Sequence, residues 1–242
     1  MLEAAFWGFV AGASLLIGAV IGITSRPSSR VIGLVMGFGA GVLISAVAFE
    51  LTAEAIDRGG GDATAVGLAA GSLAFFAGDL AIDRWGGERR KSMQGQAAGG
   101  AGLAIALGAL MDGIPESAAI GVTLLEGGGV GVAMVAAVFL SNLPESISAS
   151  VGMRNAGRRR GWILALWGAV TLASTLAAAL GFGLLDGASQ DLIAVIQAFA
   201  AGAILTMLAD TMMPEAFEEG GSVTGLVTTA GFVLAFLLST LE

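Results

Sequence analysis

Long apolar runs dominate the sequence, and short links containing Pro, Gly, Arg and Asp separate them. A helix that crosses a bilayer needs about 20 mostly apolar residues. Eight runs meet this requirement, at 4–24, 31–56, 63–82, 98–124, 128–153, 161–184, 192–214 and 223–241. The pattern therefore predicts a single all-α domain over 1–242, an integral membrane bundle of eight transmembrane helices. Its longest polar link is the predicted loop at 83–97.

The composition agrees with a membrane fold. Only 12% of the residues are charged, against about a quarter in soluble domains, and 39 residues are glycine. Such small residues let membrane helices pack closely. The chain contains neither cysteine nor histidine, so thiolate and imidazole ligands are excluded. Since no basic face exists outside short links, we expect no nucleic-acid binding.

The basic residues predict the orientation in the membrane. Ten of the eleven lie in the links after spans 1, 3 and 5: Arg26, Arg30, Arg84, Arg89, Arg90, Lys91, Arg154, Arg158, Arg159 and Arg160. Short links rich in Lys and Arg stay in the cytoplasm. We therefore expect both termini to be extracytoplasmic, and the cell (inner) membrane is the expected location. The first run lacks a basic segment before it, so we interpret it as a retained span.

Two internal similarities indicate a repeat. Pro-Glu-Ser occurs at 115–117 in span 4 and at 144–146 in span 5. Spans 2 and 7 share Ala-Gly motifs at 40–41 and 201–202, an offset of 161 that also relates Glu54 and Glu215. The paired spans run in opposite directions, which predicts an inverted repeat of spans 1–3 and 6–8 around a central pair 4–5. Chance similarity between Ala- and Gly-rich helices is the alternative.

Spans 4 and 5 carry acids near their centres. Asp112 and Glu116 are four residues apart and share a helix face, as do Ser141 and Glu145. An isolated carboxylate at this depth costs at least about 2.5 kcal/mol, and no basic residue lies inside a span. A shared divalent cation would offset that cost. The pattern predicts a metal site made of Asp112, Glu116 and Glu145, with Ser141 and Asn142 as further oxygen ligands.

Each of these helices also contains a helix-breaking proline. Pro115 cannot donate to the carbonyl of Met111, and Pro144 cannot donate to that of Leu140. Carbonyl oxygens beside carboxylates and hydroxyls suit a hard cation. The alternative is that each proline only kinks its helix and that each glutamate pairs with a polar neighbour or stays protonated.

Further acids lie elsewhere in the apolar runs. Glu50 in span 2, Asp79 in span 3 and Asp210 in span 7 are candidates for lining the pathway or for relaying metal ions or protons. Glu54 and Glu215 lie nearer the span ends, where we expect them to be interfacial and solvated.

These features resemble the ZIP (Zrt/Irt-like) family of divalent metal transporters, which has eight spans, outward termini and a longer cytoplasmic link after span 3. The family's span-4 motif His-Asn-x-Pro-Glu-Gly is matched by Asp-Gly-Ile-Pro-Glu-Ser at 112–117, and its span-5 motif by Ser-Asn-Leu-Pro-Glu-Ser at 141–146. The resemblance covers essentially the whole chain. It implies uptake of a divalent metal ion, as substrate, into the cytoplasm.

The departures from the family concern its ligands. Asp112 and Ser141 replace the leading residues of the two motifs, and Ser174 lies roughly where some members carry a glutamate of a second metal position. We therefore expect one site. The family implies Zn²⁺, whereas an all-oxygen site favours Mn²⁺, Fe²⁺, Mg²⁺ or Ca²⁺ and leaves Cd²⁺ open.

Other functions stay open at this point. A membrane metal sensor or binding protein that does not transport is the main alternative. An intramembrane enzyme with paired carboxylates is disfavoured, because the sequence has no recognisable nucleophile or protease motif, so we expect no enzyme activity. The expected partners are the lipid bilayer and metal ions, and Gly- and Ala-rich spans also permit a homodimer.

Overall fold

The computed structural model describes residues 1–25, 27–82, 84, 101–126 and 130–240, without the side chains of 101–106 and 126. Apart from residue 84, the predicted loop at 83–97 lies outside these residues, as do parts of the predicted spans at 98–100, 128–129 and 241. All regular structure in the described residues is helical. The all-α prediction is therefore confirmed.

The helices follow the apolar runs, because a helix satisfies every backbone polar group internally where no water is present. They are α1 (Leu2–Thr24), α2 (Ser29–Ala46), α3 (Ala53–Ile82), α4 (Ala101–Thr123), α5 (Val132–Asn155), α6 (Arg160–Leu185), α7 (Gln190–Met207), α8 (Met213–Gly220) and α9 (Thr224–Ser239). A π-helical stretch at Val47–Thr52 joins α2 to α3, and another at Leu208–Met212 joins α7 to α8.

Five helical stretches within the described residues are long and apolar enough to cross a membrane. They are Leu2–Thr24, Ser29–Ile82, Val132–Asn155, Arg160–Leu185 and Gln190–Ser239. This supports the predicted membrane protein. The count of eight spans and the inverted repeat stay predictions.

The two longest stretches are interrupted at glycines with left-handed backbone. Gly60 inside α3 has a φ of 75°, and Gly221 between α8 and α9 has a φ of 77°. Both combine a positive φ with an extended ψ, a conformation that is essentially restricted to glycine and costs other residues about 1–3 kcal/mol. The 54 residues of Ser29–Ile82 would extend about 81 Å as one straight helix, well beyond a bilayer core of about 30 Å. The break at Gly60 divides this stretch into two shorter helices.

The helices pack in two groups. In the first, which we call the acid-bearing bundle, α1 packs along α5 and α6, and α4 packs along α6. In the second, the flanking bundle, α3 packs along α7, and α2 packs along α8 and α9. The bundles meet mainly where α2 crosses α5 and where α4 crosses α7.

Glycines allow the closest approaches inside the flanking bundle. A Cβ on Gly41 would collide with the backbone of Thr228, and a Cβ on Gly202 would collide with the backbone of Leu68. In the acid-bearing bundle, the fully buried Trp167 donates from Nε1 to Ser150 Oγ at 2.9 Å. Close backbone packing thus holds the helices of the flanking bundle together, and the hydrogen-bonded indole of Trp167 joins α6 to α5 in the acid-bearing bundle.

Candidate metal centre

All five predicted metal ligands are buried in the acid-bearing bundle. Asp112 and Glu116 lie one turn apart on α4, and Glu116 is only 1% exposed. Ser141, Asn142 and Glu145 are buried on α5. A buried carboxyl group is tolerated only when it is paired, protonated or bound to a cation. This concentration of oxygen atoms therefore marks the candidate site.

A contact at hydrogen-bond distance joins α4 to α5 at this site. Ser141 Oγ lies 3.3 Å from Glu116 Oε1, and it also lies 3.0 Å from the carbonyl oxygen of Val138. The hydroxyl has one hydrogen and can donate to one of these acceptors at a time. The fold therefore brings Glu116 and Ser141 together across the α4–α5 contact.

The three predicted carboxylates do not form one compact group. Among the described residues, no three His, Cys, Asp or Glu side chains are arranged to hold a metal ion together. Asp112, Glu116 and Glu145 are thus buried in the same bundle without converging on one point. Repulsion between like charges in a low-dielectric interior favours such separation.

Both helix-breaking prolines lie inside their helices, Pro115 in α4 and Pro144 in α5. The carbonyl oxygen of Leu140, which Pro144 releases from its helical hydrogen bond, lies 2.8 Å from the position that a Cβ on Gly39 would take. Gly39 belongs to α2. The helix break in α5 is therefore packed directly against the flanking bundle.

Asp79 lies close to a second contact between the bundles. The sulfur of Met111, the residue before Asp112, is 2.5 Å from the position that a Cβ on Gly78 would take. Asp79 follows Gly78 on α3 and is half-buried. The predicted pathway residue is thus adjacent to the part of α4 that carries the site.

Ser174 also lies beside the site. Its Oγ is 3.1 Å from the position that a Cβ on Gly113 would take, and Ser174 is buried on α6. Ser174 thus presents a hydroxyl next to the residue that follows Asp112 on α4.

Glu50 is buried at a different level. Its Oε2 lies 2.9 Å from the position that a Cβ on Gly131 would take, and that Cβ would also contact Thr123. The N–H of Gly131 donates to Thr123 Oγ1 at 3.2 Å. Seven residues of α4 separate Thr123 from Glu116, which corresponds to about 10 Å along the helix. Glu50 therefore borders the α4–α5 connection and does not join the centre of the site.

Gln197 is a polar residue that the sequence interpretation missed. It is fully buried on α7. Its Nε2 donates to the carbonyl oxygen of Glu50 at 3.0 Å and to Glu54 Oε2 at 2.7 Å. Glu54 is half-buried and accepts a hydrogen bond from another helix, which a purely interfacial position does not require. A lone amide inside the apolar run 192–214 was the available signal.

An open pocket of about 460 Å³ lies beside this group. Its lining residues are Glu54, Asp57, Arg58, Leu125 and Gln190. Arg58 Nη1 donates to Gln190 Oε1 at 3.0 Å. Two carboxylates and one guanidinium give this acidic pocket a negative balance, which attracts cations.

Asp210, the last predicted pathway residue, lies in the π-helical stretch after α7 and is exposed. It is therefore not part of the buried group. No family model matches the chain, and no curated protein matches it. The chemistry of these residues is therefore the available indication of a function.

Proposed function

We propose that the chain is a divalent metal-ion transporter of the ZIP type, which moves its substrate into the cytoplasm through an acidic site in the membrane. One observation carries the proposal. Glu116 is buried at the proline break of α4 and is met by Ser141 from the proline-broken α5. Within two helical turns of Glu116 and of Glu145, neither α4 nor α5 carries a basic residue, so a cation is a suitable partner for these oxygens.

An eight-span inverted repeat fits this function. The offset of 161 residues that relates Glu54 to Glu215 also relates the starts of the two π-helical stretches, 47 and 208, and two of the four positive-φ glycines in the described residues, 60 and 221. The same offset relates α2 to α7, and α3 to α8 and α9. In agreement with this relation, α3 packs along α7, and α9 packs along α2. These matches argue against chance similarity and support a transporter plan with its binding site between repeats.

The acids define a route for the substrate across the membrane. In the proposed orientation, the acidic pocket faces outward and collects cations near Glu54. Glu50 comes next, about 10 Å before Glu116 along the axis of α4. Asp79 and the exposed Asp210 then lie towards the cytoplasmic side. Arg158, whose guanidinium lies 5.0 Å from the ring centre of Trp162, belongs to a link that the positive-inside rule assigns to the cytoplasm, and tryptophan is common at either membrane interface.

The oxygen donors decide which ions are suitable. Carboxylates from Asp112, Glu116 and Glu145, the hydroxyl of Ser141 and the amide of Asn142 would suit Mn²⁺, Fe²⁺, Mg²⁺ or Ca²⁺, while Zn²⁺ and Cd²⁺ accept carboxylates too. A divalent ion would draw together carboxylates that repel one another in its absence. Movement of the acid-bearing bundle against the flanking bundle would then release the ion inward.

Substitution of the acids tests the site. Glu116→Ala and Glu145→Ala should each abolish metal uptake into proteoliposomes while leaving the protein monodisperse. The control is Glu3→Ala, which removes an exposed carboxylate in the first turn of α1 and should leave uptake unchanged. Normal uptake by both site variants would refute the site assignment. Binding of metal without flux in the unsubstituted protein would favour a sensor.

A further inference from the structure

The π-helical stretch between α2 and α3 has an unusual backbone requirement. A π turn inserts one extra residue into a helix and disturbs the regular i to i−4 hydrogen bonds. Here the carbonyl oxygen of Glu50, in the middle of the stretch, accepts a hydrogen bond from Gln197 Nε2 on α7 at 3.0 Å. The same nitrogen donates to Glu54 Oε2, one helical turn further on. The side chain of Gln197 thus bonds both to the π turn and to the first turn of α3 that follows it.

The turn decides where the Glu50 carboxylate lies. Its Oε2 lies close to Gly131 in the α4–α5 connection, on the acid-bearing bundle, although Glu50 itself belongs to the flanking bundle. If the helix were regular and lacked the extra residue of the π turn, the Glu50 side chain would be rotated by about 100° around the helix axis. The π turn is therefore what directs Glu50 towards the other bundle.

We infer that Gln197 is a positioning residue, which holds the π turn in the register that presents the Glu50 carboxylate to the α4–α5 connection. The inference rests on the proposed function only in placing Glu50 on the substrate route. Burial of an amide is unfavourable unless it is hydrogen-bonded, and the fully buried Gln197 donates from Nε2 to one acceptor in the π turn, Glu50, and to one in the first turn of α3, Glu54. The amide of Gln197 therefore has two specific hydrogen-bond acceptors, the Glu50 carbonyl oxygen and Glu54 Oε2.

The other π-helical stretch lacks an equivalent of the Gln197 amide. At the offset of 161 residues, Met36 occupies the position equivalent to Gln197, and Thr211 the position equivalent to Glu50. Thr211 Oγ1 donates to the carbonyl of Met207 in its own helix at 2.8 Å. The pair of hydrogen bonds from Gln197 thus has no amide counterpart in the other half of the molecule. It fixes Glu50 as the carboxylate that a cation meets between this pocket and the buried site.

The absence of cysteine from the chain allows a direct test by thiol labelling. Glu50→Cys places a thiol at the turn, and Gln197 can still donate to the backbone carbonyl there. A charged, membrane-impermeant methanethiosulfonate reagent should react slowly with this thiol. Combination with Gln197→Leu should raise the rate about tenfold, the change expected from loss of hydrogen bonds that include one to a carboxylate.

Matched variants separate a local effect from general loosening. Gln190→Leu removes the other amide on α7, which bonds to Arg58, and should leave the rate at position 50 unchanged. A reference thiol at Ser150, buried in the acid-bearing bundle, should stay slow in every background.

Two outcomes would overturn the inference. An unchanged labelling rate at position 50 in a monodisperse Gln197→Leu protein is one, and an equal rise for Gln190→Leu is the other. If leucine at 197 prevents folding, Gln197→Asn keeps the amide but shortens its reach, and it should raise the rate in the same direction. Labelling requires no transport, so its result stands whether or not the protein moves metal.

Discussion

Gly39→Ala adds one methyl group at the contact between the bundles. The new Cβ would lie 2.8 Å from the carbonyl oxygen of Leu140, 3.1 Å from its carbon and 3.2 Å from Cα of Ser141. These are backbone atoms, which cannot rotate away as a side chain could. Since ordinary contacts begin at about 3.5 Å, α2 and α5 must separate by about 0.7 Å.

Two opposing terms set the effect on stability. Overpacking of this kind costs about 1–3 kcal/mol, and alanine in place of a helical glycine returns about 1 kcal/mol. We expect a net loss of about 0–2 kcal/mol by this difference. Uptake should suffer more, because the displaced segment carries Ser141, and misplacement of binding groups by about 1 Å can cost up to about a hundredfold. We expect at least about a tenfold fall in uptake on that basis.

The assay compares Gly39→Ala with Gly168→Ala. Gly168 lies on α6, and a Cβ there would meet no neighbouring atom within 4 Å, so this control gains helix propensity without a collision. Thermal unfolding in detergent and uptake into proteoliposomes are measured for both. If Gly39→Ala is as stable and as active as Gly168→Ala, the packing of α2 against the break in α5 is wrong.

Two further predictions concern the site and the fold. Ser141→Ala removes the hydroxyl beside Glu116 Oε1 and should weaken metal affinity about tenfold, as expected for loss of a hydrogen bond to a charged group. The affinity is measured from the concentration dependence of uptake, and an unchanged affinity would show that Ser141 is not part of the site. Gly221→Ala places a side chain at a φ of 77° and a ψ of −161° and should destabilise the protein by about 1–3 kcal/mol, whereas Gly61→Ala, at a glycine with open space around it and no left-handed φ, should not. Equal thermal unfolding of these two variants would contradict the argument from Gly221.

The sequence predicted the helical class because the constraint that produces it is simple. Apolar runs of bilayer length leave the backbone few options other than a helix. Burial of Asp112, Glu116 and Glu145 was predictable for a related reason, since each lies inside such a run. The i, i+4 spacing predicts that Ser141 and Glu145 share one face of α5, and Ser141 Oγ lies 3.3 Å from Glu116 Oε1 on α4.

Features that depend on packing between helices were not predictable. The π turns at Val47–Thr52 and Leu208–Met212 have no local composition that distinguishes them from α-helix. The bond between Gln197 and Glu50 joins residues 147 positions apart, and no pattern within either run specifies that meeting. Whether three carboxylates meet likewise depends on the distances between helices. The spacing of residues along one helix does not predict those distances.

Uptake by the purified, unsubstituted protein in proteoliposomes tests the central claim most directly. Zn²⁺, Cd²⁺, Mn²⁺, Fe²⁺, Mg²⁺ and Ca²⁺ are compared side by side, with Glu116→Ala vesicles as the background. We predict saturable uptake of at least one of these ions, and its loss in the variant. Absence of flux for every ion, from a protein shown to be folded and correctly inserted, would contradict the assignment as a transporter.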